Sequence, residues 1–190
     1  MEKYLISGTG RCGTTFLIKL FSFLDYDTGY NMENYNNHIY ENCNSGMERN
    51  YDENYYILKN PNFIANIDKI INDSSIKIKS VIFPIRNLKE SAQSREKNNF
   101  KAGGLWNAAS IHEQLNYYNS IISNYIVIMT KYEIDTIFID FDKMIMDKNY
   151  LYNKLKNILN EKNIDFEYFS NIYDKASLTS RPQNTNDNDI

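Results

Sequence analysis

The sequence is poor in cysteine, with only Cys12 and Cys43 among its 190 residues. Two cysteines cannot form the disulfide framework of a small secreted domain, and the N-terminus has no basic region followed by an apolar segment and a cleavage site. These absences favour a cytoplasmic protein. No apolar run approaches the ~18 residues that a membrane-spanning helix needs, so we expect no membrane span.

Proline and glycine are also scarce, with three and seven residues, and no linker rich in them divides the chain. A chain of this length can bury one substantial core, so we predict a single domain over residues 1–175 and a flexible polar tail over residues 176–190. The formal net charge is −3 and no basic stripe stands out, which argues against a nucleic-acid partner. Any site for an anion must therefore be local.

Hydrophobic residues make up 42% of the chain, and they fall into alternating strand-like and helix-like segments. This alternation predicts an α/β fold of three layers, with a central parallel sheet covered by helices on both faces. Residues 125–129, inside the longest helical pattern, also fit a strand. The predicted strands cover residues 4–6, 55–58, 79–85 and 136–141, and the predicted helices cover residues 16–24, 63–71, 88–97, 106–130 and 150–159.

A glycine-rich turn follows the first predicted strand in the stretch YLISGTGRCGTTFL. Glycines allow positive φ and close backbone approach, so successive amides can converge on an anion where the next helix begins. Gly8 and Gly13 have the spacing of the triphosphate loop G-x-x-x-x-G-K-[ST], but Thr14 occupies its lysine position. The cation of this turn is instead Arg11. We therefore expect a phosphate-like group here, held differently from a nucleoside triphosphate.

Cationic residues also follow the next two predicted strands. Lys59 comes directly after the second strand and Arg86 directly after the third, while Asp140 and Asp142 lie near the end of the fourth. Ligands of parallel sheets bind at the carboxyl ends of the strands, where these side chains are expected to meet. Three cations at one edge of an acidic protein indicate a multiply charged anionic ligand.

Two of these motifs resemble those of the sulfotransferases. The stretch GRCGTT, residues 10–15, is similar to their 5′-phosphosulfate loop, and IRNLKESAQSR, residues 85–95, is similar to their 3′-phosphate motif, in which a serine lies eight positions after an arginine. That pair is Arg86 and Ser94. ILKNP resembles the Lys-x-Pro turn of bacterial relatives, and FIDFDKM and LYNKLKNIL resemble the family's late strand and C-terminal helix. The resemblance covers residues 4–166.

The resemblance implies a P-loop-like fold and a definite reaction. The enzyme would move a sulfuryl group from 3′-phosphoadenosine 5′-phosphosulfate to a hydroxyl or amine of a small-molecule, carbohydrate or peptide acceptor. It would release adenosine 3′,5′-bisphosphate and require no metal. Cys12 stands where the family usually has serine, and Phe16 where it often has a tryptophan beside the adenine. The implied donor-binding residues are Gly10, Arg11, Cys12, Gly13, Thr14, Thr15, Phe16, Arg86 and Ser94.

The resemblance also implies a catalytic set. Arg11 would stabilise charge on the leaving phosphate, and Lys59 would reach the bridging oxygen or the acceptor. Glu33 lies about as far beyond the loop as the catalytic glutamate of the tyrosine-protein sulfotransferases, so it is the first candidate for the base. His38 is the second candidate, because an imidazole has a suitable pKa and other branches of the family use histidine.

Two other functions fit the same residues. In a phosphotransferase that uses ATP, Thr15 and either Asp140 or Asp142 would hold Mg²⁺. The threonine at the lysine position and the Arg86 to Ser94 motif argue against this alternative. A non-catalytic nucleotide-binding relative is the third possibility, which Cys12 and the short middle section of the chain keep open.

Overall fold

The computed structural model describes residues 2–40, 45–98 and 103–178. Cys43 and residues 179–190 of the predicted tail lie outside the described residues.

A four-stranded parallel sheet forms the centre of the fold. Its strands are β1 (Glu2–Ile6), β4 (Ile57–Lys59), β5 (Lys77–Ile85) and β6 (Thr136–Asp140), in the spatial order β4-β1-β5-β6. Two short strands, β2 (Ile39–Tyr40) and β3 (Ser45–Gly46), form a separate antiparallel pair. The predicted α/β class with a central parallel sheet is confirmed.

Helices follow the strands much as predicted, and residues 125–129 are helical, so the strand alternative was wrong. The 3-10 helix Pro61–Asn66 precedes α2 (Ile67–Ile71) where one continuous helix was predicted, and α5 (Phe141–Met146) and α7 (Phe166–Leu178) were not predicted. The last helix extends past residue 175. None of the helices in the described part of the chain combines the length and apolarity that crossing a membrane requires. The helices are α1 (Thr14–Phe23), α2 (Ile67–Ile71), α3 (Leu88–Glu96), α4 (Ile111–Lys131), α5 (Phe141–Met146), α6 (Lys148–Asn160) and α7 (Phe166–Leu178), and the 3-10 helices are Tyr35–His38 and Pro61–Asn66.

Apolar residues pack on both faces of the sheet and bury most of β1, β4 and β5. Successive residues of a strand point to opposite faces, so Ile6 packs in a cluster with α1, α6 and α7, while Leu5 packs with α3, α4 and the second 3-10 helix. Neither side chain is exposed. The central strands therefore contain continuous apolar runs, which is why the sequence showed them clearly.

The strand register places the carboxyl ends of β1, β4 and β5 at one edge of the sheet. Ile6 of β1 pairs with Lys59 of β4 and with Ile82 of β5. The backbone continues this alignment past the strands, since the Ser7 N–H donates to the Ile82 carbonyl and the Asn60 N–H to the Ile6 carbonyl. This edge consequently carries the glycine-rich loop between the ends of β4 and β5.

A polar cluster around Glu161 connects the C-terminal end of α6 to the sheet. The Glu161 carboxylate accepts hydrogen bonds from Tyr4 Oη at 2.8 Å, Tyr56 Oη at 2.6 Å and Lys79 Nζ at 2.5 Å. Burial alone would raise the pKa of Glu161, but these hydrogen bonds outweigh it and lower the pKa below the ordinary value of 4.5. Burial and the bond to Glu161 raise the pKa of Tyr4 to about 12.

The substitution Glu161→Gln should lower the free energy of unfolding by about 1 kcal/mol at pH 7, because an amide accepts fewer of these bonds. The lowered pKa means that the carboxylate's stabilisation is complete above about pH 4.5 and is lost as the pH falls through the folded-state value. Urea unfolding at pH 7 and pH 3 should show the difference from wild type shrinking in acid. Glu167→Gln, at an exposed position of α7, is the matched control. An equal loss at both pH values would contradict this account.

Candidate functional site

A cavity of about 810 Å³ lies at the carboxyl edge of the sheet. Its volume is near the upper end of the ~300–1,000 Å³ that ligand sites typically have. Among the described residues that line it, five are cationic and one is a carboxylate, so the cavity is strongly positive although the protein carries a net charge of −3. These charged residues are Arg11, Lys19, Lys59, Arg86, Arg95 and Glu48.

The glycine-rich loop forms one wall of the cavity in a left-handed conformation. Gly10, Arg11 and Gly13 have φ values of 73°, 56° and 87°. Gly13 lies at the N-terminus of α1, where its carbonyl accepts a hydrogen bond from the Leu17 N–H at 3.1 Å. A side chain at position 10 would overlap the Arg95 guanidinium. The loop therefore needs glycine both for its φ angle and for space, and it directs the N-terminus of α1 at the cavity.

Arg95 holds this loop in place. It is 6% exposed, its Nη2 donates to the Thr9 carbonyl at 2.9 Å, and its Nη1 donates to the Gly104 carbonyl at 2.7 Å. The guanidinium carbon lies 5.3 Å from the ring centroid of Trp106. Arg95 thus joins the loop to residues 103–106, which also line the cavity. This role could not be predicted from the sequence, because an arginine next to Ser94 on a helix looks like a surface residue.

The two predicted phosphate motifs meet in the cavity. Arg11 Nε donates to Ser94 Oγ at 3.1 Å, although the two residues are 83 positions apart. Ser94 lies on α3, the helix that follows the strand end carrying Arg86. The loop and the C-terminal part of α3 consequently form one continuous polar wall.

Arg86 lines the same cavity from the end of β5. Its Nε and Nη2 lie 3.2 and 3.1 Å from Glu90 Oε2, and its guanidinium carbon lies 4.9 Å from the ring centroid of Phe141. The Glu90 side chain is 52% exposed. An exposed pair of this kind contributes only ~0–1 kcal/mol, so a phosphate that approaches Arg86 can displace Glu90 at little cost.

Lys59 lies at the other side of the loop. Its side chain is 1% exposed, and its Nζ lies 2.5 Å from Glu48 Oε1, 2.9 Å from the Gly46 carbonyl and 3.3 Å from Thr15 Oγ1. Burial lowers the pKa of Lys59, and the Glu48 carboxylate opposes this effect. The arrangement places a cation, a carboxylate and a hydroxyl together on one wall.

The backbone around Glu48 is fixed on both sides. The Tyr30 hydroxyl donates to the Glu48 carbonyl at 3.2 Å, and the Arg49 N–H donates to the Lys59 carbonyl at 2.9 Å. The Arg49 guanidinium lies between two rings, 4.3 Å from the centroid of Tyr30 and 4.7 Å from that of Tyr55. Glu48 is therefore held at the cavity by packing within the long connection, which no spacing in the sequence reveals.

The two predicted bases lie elsewhere. Glu33 is exposed, and its N–H donates to Asn31 Oδ1 in a local turn. His38 is also exposed, and its ring packs 5.0 Å from that of Tyr30. Neither belongs to the described residues that line the cavity. The placement does not support either of them as the base, and Glu48 is the one carboxylate among the described residues that line the cavity.

Cys12 also differs from its predicted role. Its side chain is fully buried, burial raises the pKa of the thiol, and it is not among the described lining residues. A side chain at Gly8 would approach the Cys12 Sγ to 2.8 Å, so the thiol packs inside the loop and faces away from the cavity. The other predicted loop residues do line the cavity: Gly10, Arg11, Gly13, Thr14, Thr15 and Phe16.

An apolar wall lies beside Arg86. Phe141, Ile145 and Met146 of α5 line the cavity together with Phe16 of α1. Met146 is 84% exposed, which is unusual for a large apolar side chain. Such a wall suits a flat aromatic base rather than a charged group.

The carboxylates proposed for Mg²⁺ do not face this cavity. Asp140 accepts the Lys143 N–H at 2.9 Å and so caps α5, and neither it nor Asp142 is among the described lining residues. Within residues 2–40, 45–98 and 103–178 there is no group of three or more His, Cys, Asp or Glu placed to hold a metal ion. The hydroxyl of Thr15 lies beside the Lys59 ammonium instead.

Comparison of the chain with models of known families, with curated proteins and with solved structures gave no match. The function of the chain must therefore be inferred from the cavity and its residues.

Proposed function

We propose that the protein is a sulfotransferase that uses 3′-phosphoadenosine 5′-phosphosulfate. The observation that carries the proposal is the contact between Arg11 and Ser94, which joins the two motifs that resemble phosphate sites in this family. A ligand with anionic groups at both ends of one nucleoside fits a wall with Arg11 on the loop and Arg86 at the next strand end.

The loop would hold the 5′-phosphosulfate. Its left-handed residues and the N-terminus of α1 supply amide donors and a partial positive charge, and Thr14 and Thr15 add hydroxyls at the cavity. Arg86 and Ser94 would bind the 3′-phosphate once Glu90 is displaced, and the wall with Phe141 would cover the adenine. The 3′-phosphate contacts would distinguish this donor from ATP.

Lys59 would act on the leaving group. In sulfuryl transfer the bond from sulfur to the bridging oxygen breaks, and the electron pair stays on the 5′-phosphate. Fixed cations at that oxygen stabilise the developing charge. The Lys59 ammonium lies 3.3 Å from Thr15 Oγ1, where a magnesium ion would bind in a P-loop phosphotransferase. The position of Lys59 supports a reaction in which a lysine stabilises the negative charge on the leaving oxygen, as a magnesium ion would in a phosphotransferase.

Glu48 would be the base. Its carboxylate lines the cavity beside Lys59 and would accept the acceptor's proton as the acceptor oxygen forms its bond to sulfur. Moving Lys59 toward the bridging oxygen would free the Glu48 carboxylate for this role. We therefore expect Glu48, and neither Glu33 nor His38, to be required for transfer.

The proposal predicts selective binding of adenosine 3′,5′-bisphosphate. A thermal-shift series should show stabilisation by the bisphosphate without magnesium, of about 2.7 kcal/mol at a hundredfold excess over Kd, and little from ATP with magnesium. Arg86→Ala should weaken this binding at least about tenfold, because it removes charge-assisted hydrogen bonds. Lys89→Ala, at an exposed position of α3, should not. Stabilisation by ATP with magnesium, and none by the bisphosphate, would favour the phosphotransferase.

A transfer assay with labelled donor and a panel of acceptors completes the test. Bisphosphate binding without transfer to any acceptor would support a non-catalytic relative. Full activity of Glu48→Gln would remove Glu48 as the base without affecting the choice of donor.

A further inference from the structure

Lys19 is a buried cation at the cavity with no part in the donor site proposed above. It lines the cavity, and its side chain is 1% exposed. It follows Thr15 by one turn of α1, so both side chains lie on the same face of the helix. Burial lowers the pKa of Lys19 to about 8, which leaves the amine mostly protonated at pH 7.

The surroundings of Lys19 identify the end of the cavity that it occupies. Its Nζ lies 5.6 Å from the ring centroid of Tyr35, which belongs to the 3-10 helix leading directly into β2. Tyr40 and Ser45 of the paired strands β2 and β3 line the cavity as well. Lys19 therefore belongs to the end of the cavity that residues 35–40 and 45–48 line or approach, and Glu48 lies at this end.

This end differs from the phosphate sites in the elements that form it. The backbone of Lys19 lies one turn of α1, about 6 Å, beyond that of Thr15, and the Lys19 ammonium lies near Tyr35. Arg11, in contrast, contacts Ser94 of α3. The charge of Lys19 consequently adds to the positive potential where an acceptor would approach Glu48, and desolvated cations attract anions strongly.

We propose that Lys19 binds an anionic group of the acceptor, so that the acceptor is a hydroxyl compound that also carries a carboxylate or a sulfate. The identification of this ligand as the acceptor depends on the proposed function, whereas the anion subsite depends only on the cavity. An acid bound at Lys19 would point its hydroxyl toward Glu48 and the loop. A neutral alcohol of the same shape would lack this anchor.

Matched pairs of acids and amides test the subsite without turnover. Isothermal titration of the full chain would use 4-hydroxybenzoate against 4-hydroxybenzamide, glucuronate against glucuronamide, and lactate against lactamide. We expect at least one acid to bind about tenfold more tightly than its amide, as a hydrogen bond to a charged group typically gives. Lys19→Met should bring this ratio close to one, and Lys19→Arg should preserve much of it.

Three controls make the result specific. Lys156→Met removes an exposed charge of α6 and should keep the ratio, and Arg86→Ala should keep it because Arg86 belongs to the donor site. Thermal unfolding of each variant checks its fold, and Lys19→Gln replaces Lys19→Met if the latter unfolds. No preference for the acid in any pair, or a preference that survives in a folded Lys19 variant, would overturn the proposal. If the wild-type protein prefers the acid to its amide but does not bind adenosine 3′,5′-bisphosphate, the proposed function is overturned and the anion subsite is not.

Discussion

Gly10→Ala is expected to weaken the binding of adenosine 3′,5′-bisphosphate about hundredfold and to lower the free energy of unfolding by about 2–5 kcal/mol. The left-handed φ of 73° costs an alanine ~1–2 kcal/mol, and forcing its methyl group against Arg95 adds ~1–3 kcal/mol of overpacking. The loop can relieve the overlap only by moving, which misaligns the amides and Arg11 with the phosphate. Urea unfolding and titration with the bisphosphate measure the two effects.

Gly103→Ala is the matched control for stability. Gly103 has a φ of 78°, but a side chain there would meet none of the described residues within 4 Å, so the variant should lose only the ~1–2 kcal/mol of left-handed strain. The free-energy penalty of Gly10→Ala should be smaller in an Arg95→Ala background than in the wild-type protein, which a double-mutant cycle would report as coupling. Equal destabilisation by the two alanines would show that contact with Arg95 is not what requires glycine.

The parts of the fold that the sequence predicted are those set by local pattern. β5 is buried on both faces, so its apolar run stood out, and parallel strands necessarily end at one edge. Arg86 and the glycine-rich loop were therefore placed near each other without any knowledge of side-chain contacts. The contact between Arg11 and Ser94 followed from this topology.

Helix α5 was missed, although a local signal marked its start. Phe141 looked like one more residue of a β-branched and aromatic strand, yet Asp140 accepts the Lys143 N–H and begins a helix. An aspartate three residues before the bonded amide is a common N-cap. Similarly, Asp165 accepts the Tyr168 N–H at the start of α7. Capping residues would have located both helices.

Glu48 could not have been selected as the candidate base from spacing alone. Glu33 was selected by its distance along the chain from Arg11, but distance along an irregular connection does not fix a position in space. The N–H of Arg49 bonds to the Lys59 carbonyl, and this contact brings Glu48 to the cavity. Lys19 was missed for a related reason, since a lysine within an apolar helix gives no sign that it lines a cavity.

Lys59→Met is expected to lower sulfuryl transfer about hundredfold or more, while the affinity for adenosine 3′,5′-bisphosphate changes by less than about tenfold. The product lacks the sulfuryl group, so it does not require a cation at the bridging oxygen, whereas the transition state does. Methionine fills the buried volume of the lysine stem, and Glu48 keeps access to water because its side chain is 36% exposed. We therefore expect the fold to persist. Single-turnover transfer from labelled donor and titration with the bisphosphate separate the two quantities.

The comparison of Lys59→Met with Glu48→Gln then separates the roles of the pair. If Lys59 acts on the leaving oxygen and Glu48 on the acceptor, both variants lose transfer, but only Glu48→Gln should be less impaired with an acceptor whose hydroxyl is already acidic, such as a nitrophenol. A base matters least when the proton leaves readily. Lys156→Met controls for the loss of a positive charge at a distance. Transfer by Lys59→Met within tenfold of wild type would show that the ammonium only neutralises Glu48, as an ordinary buried ion pair.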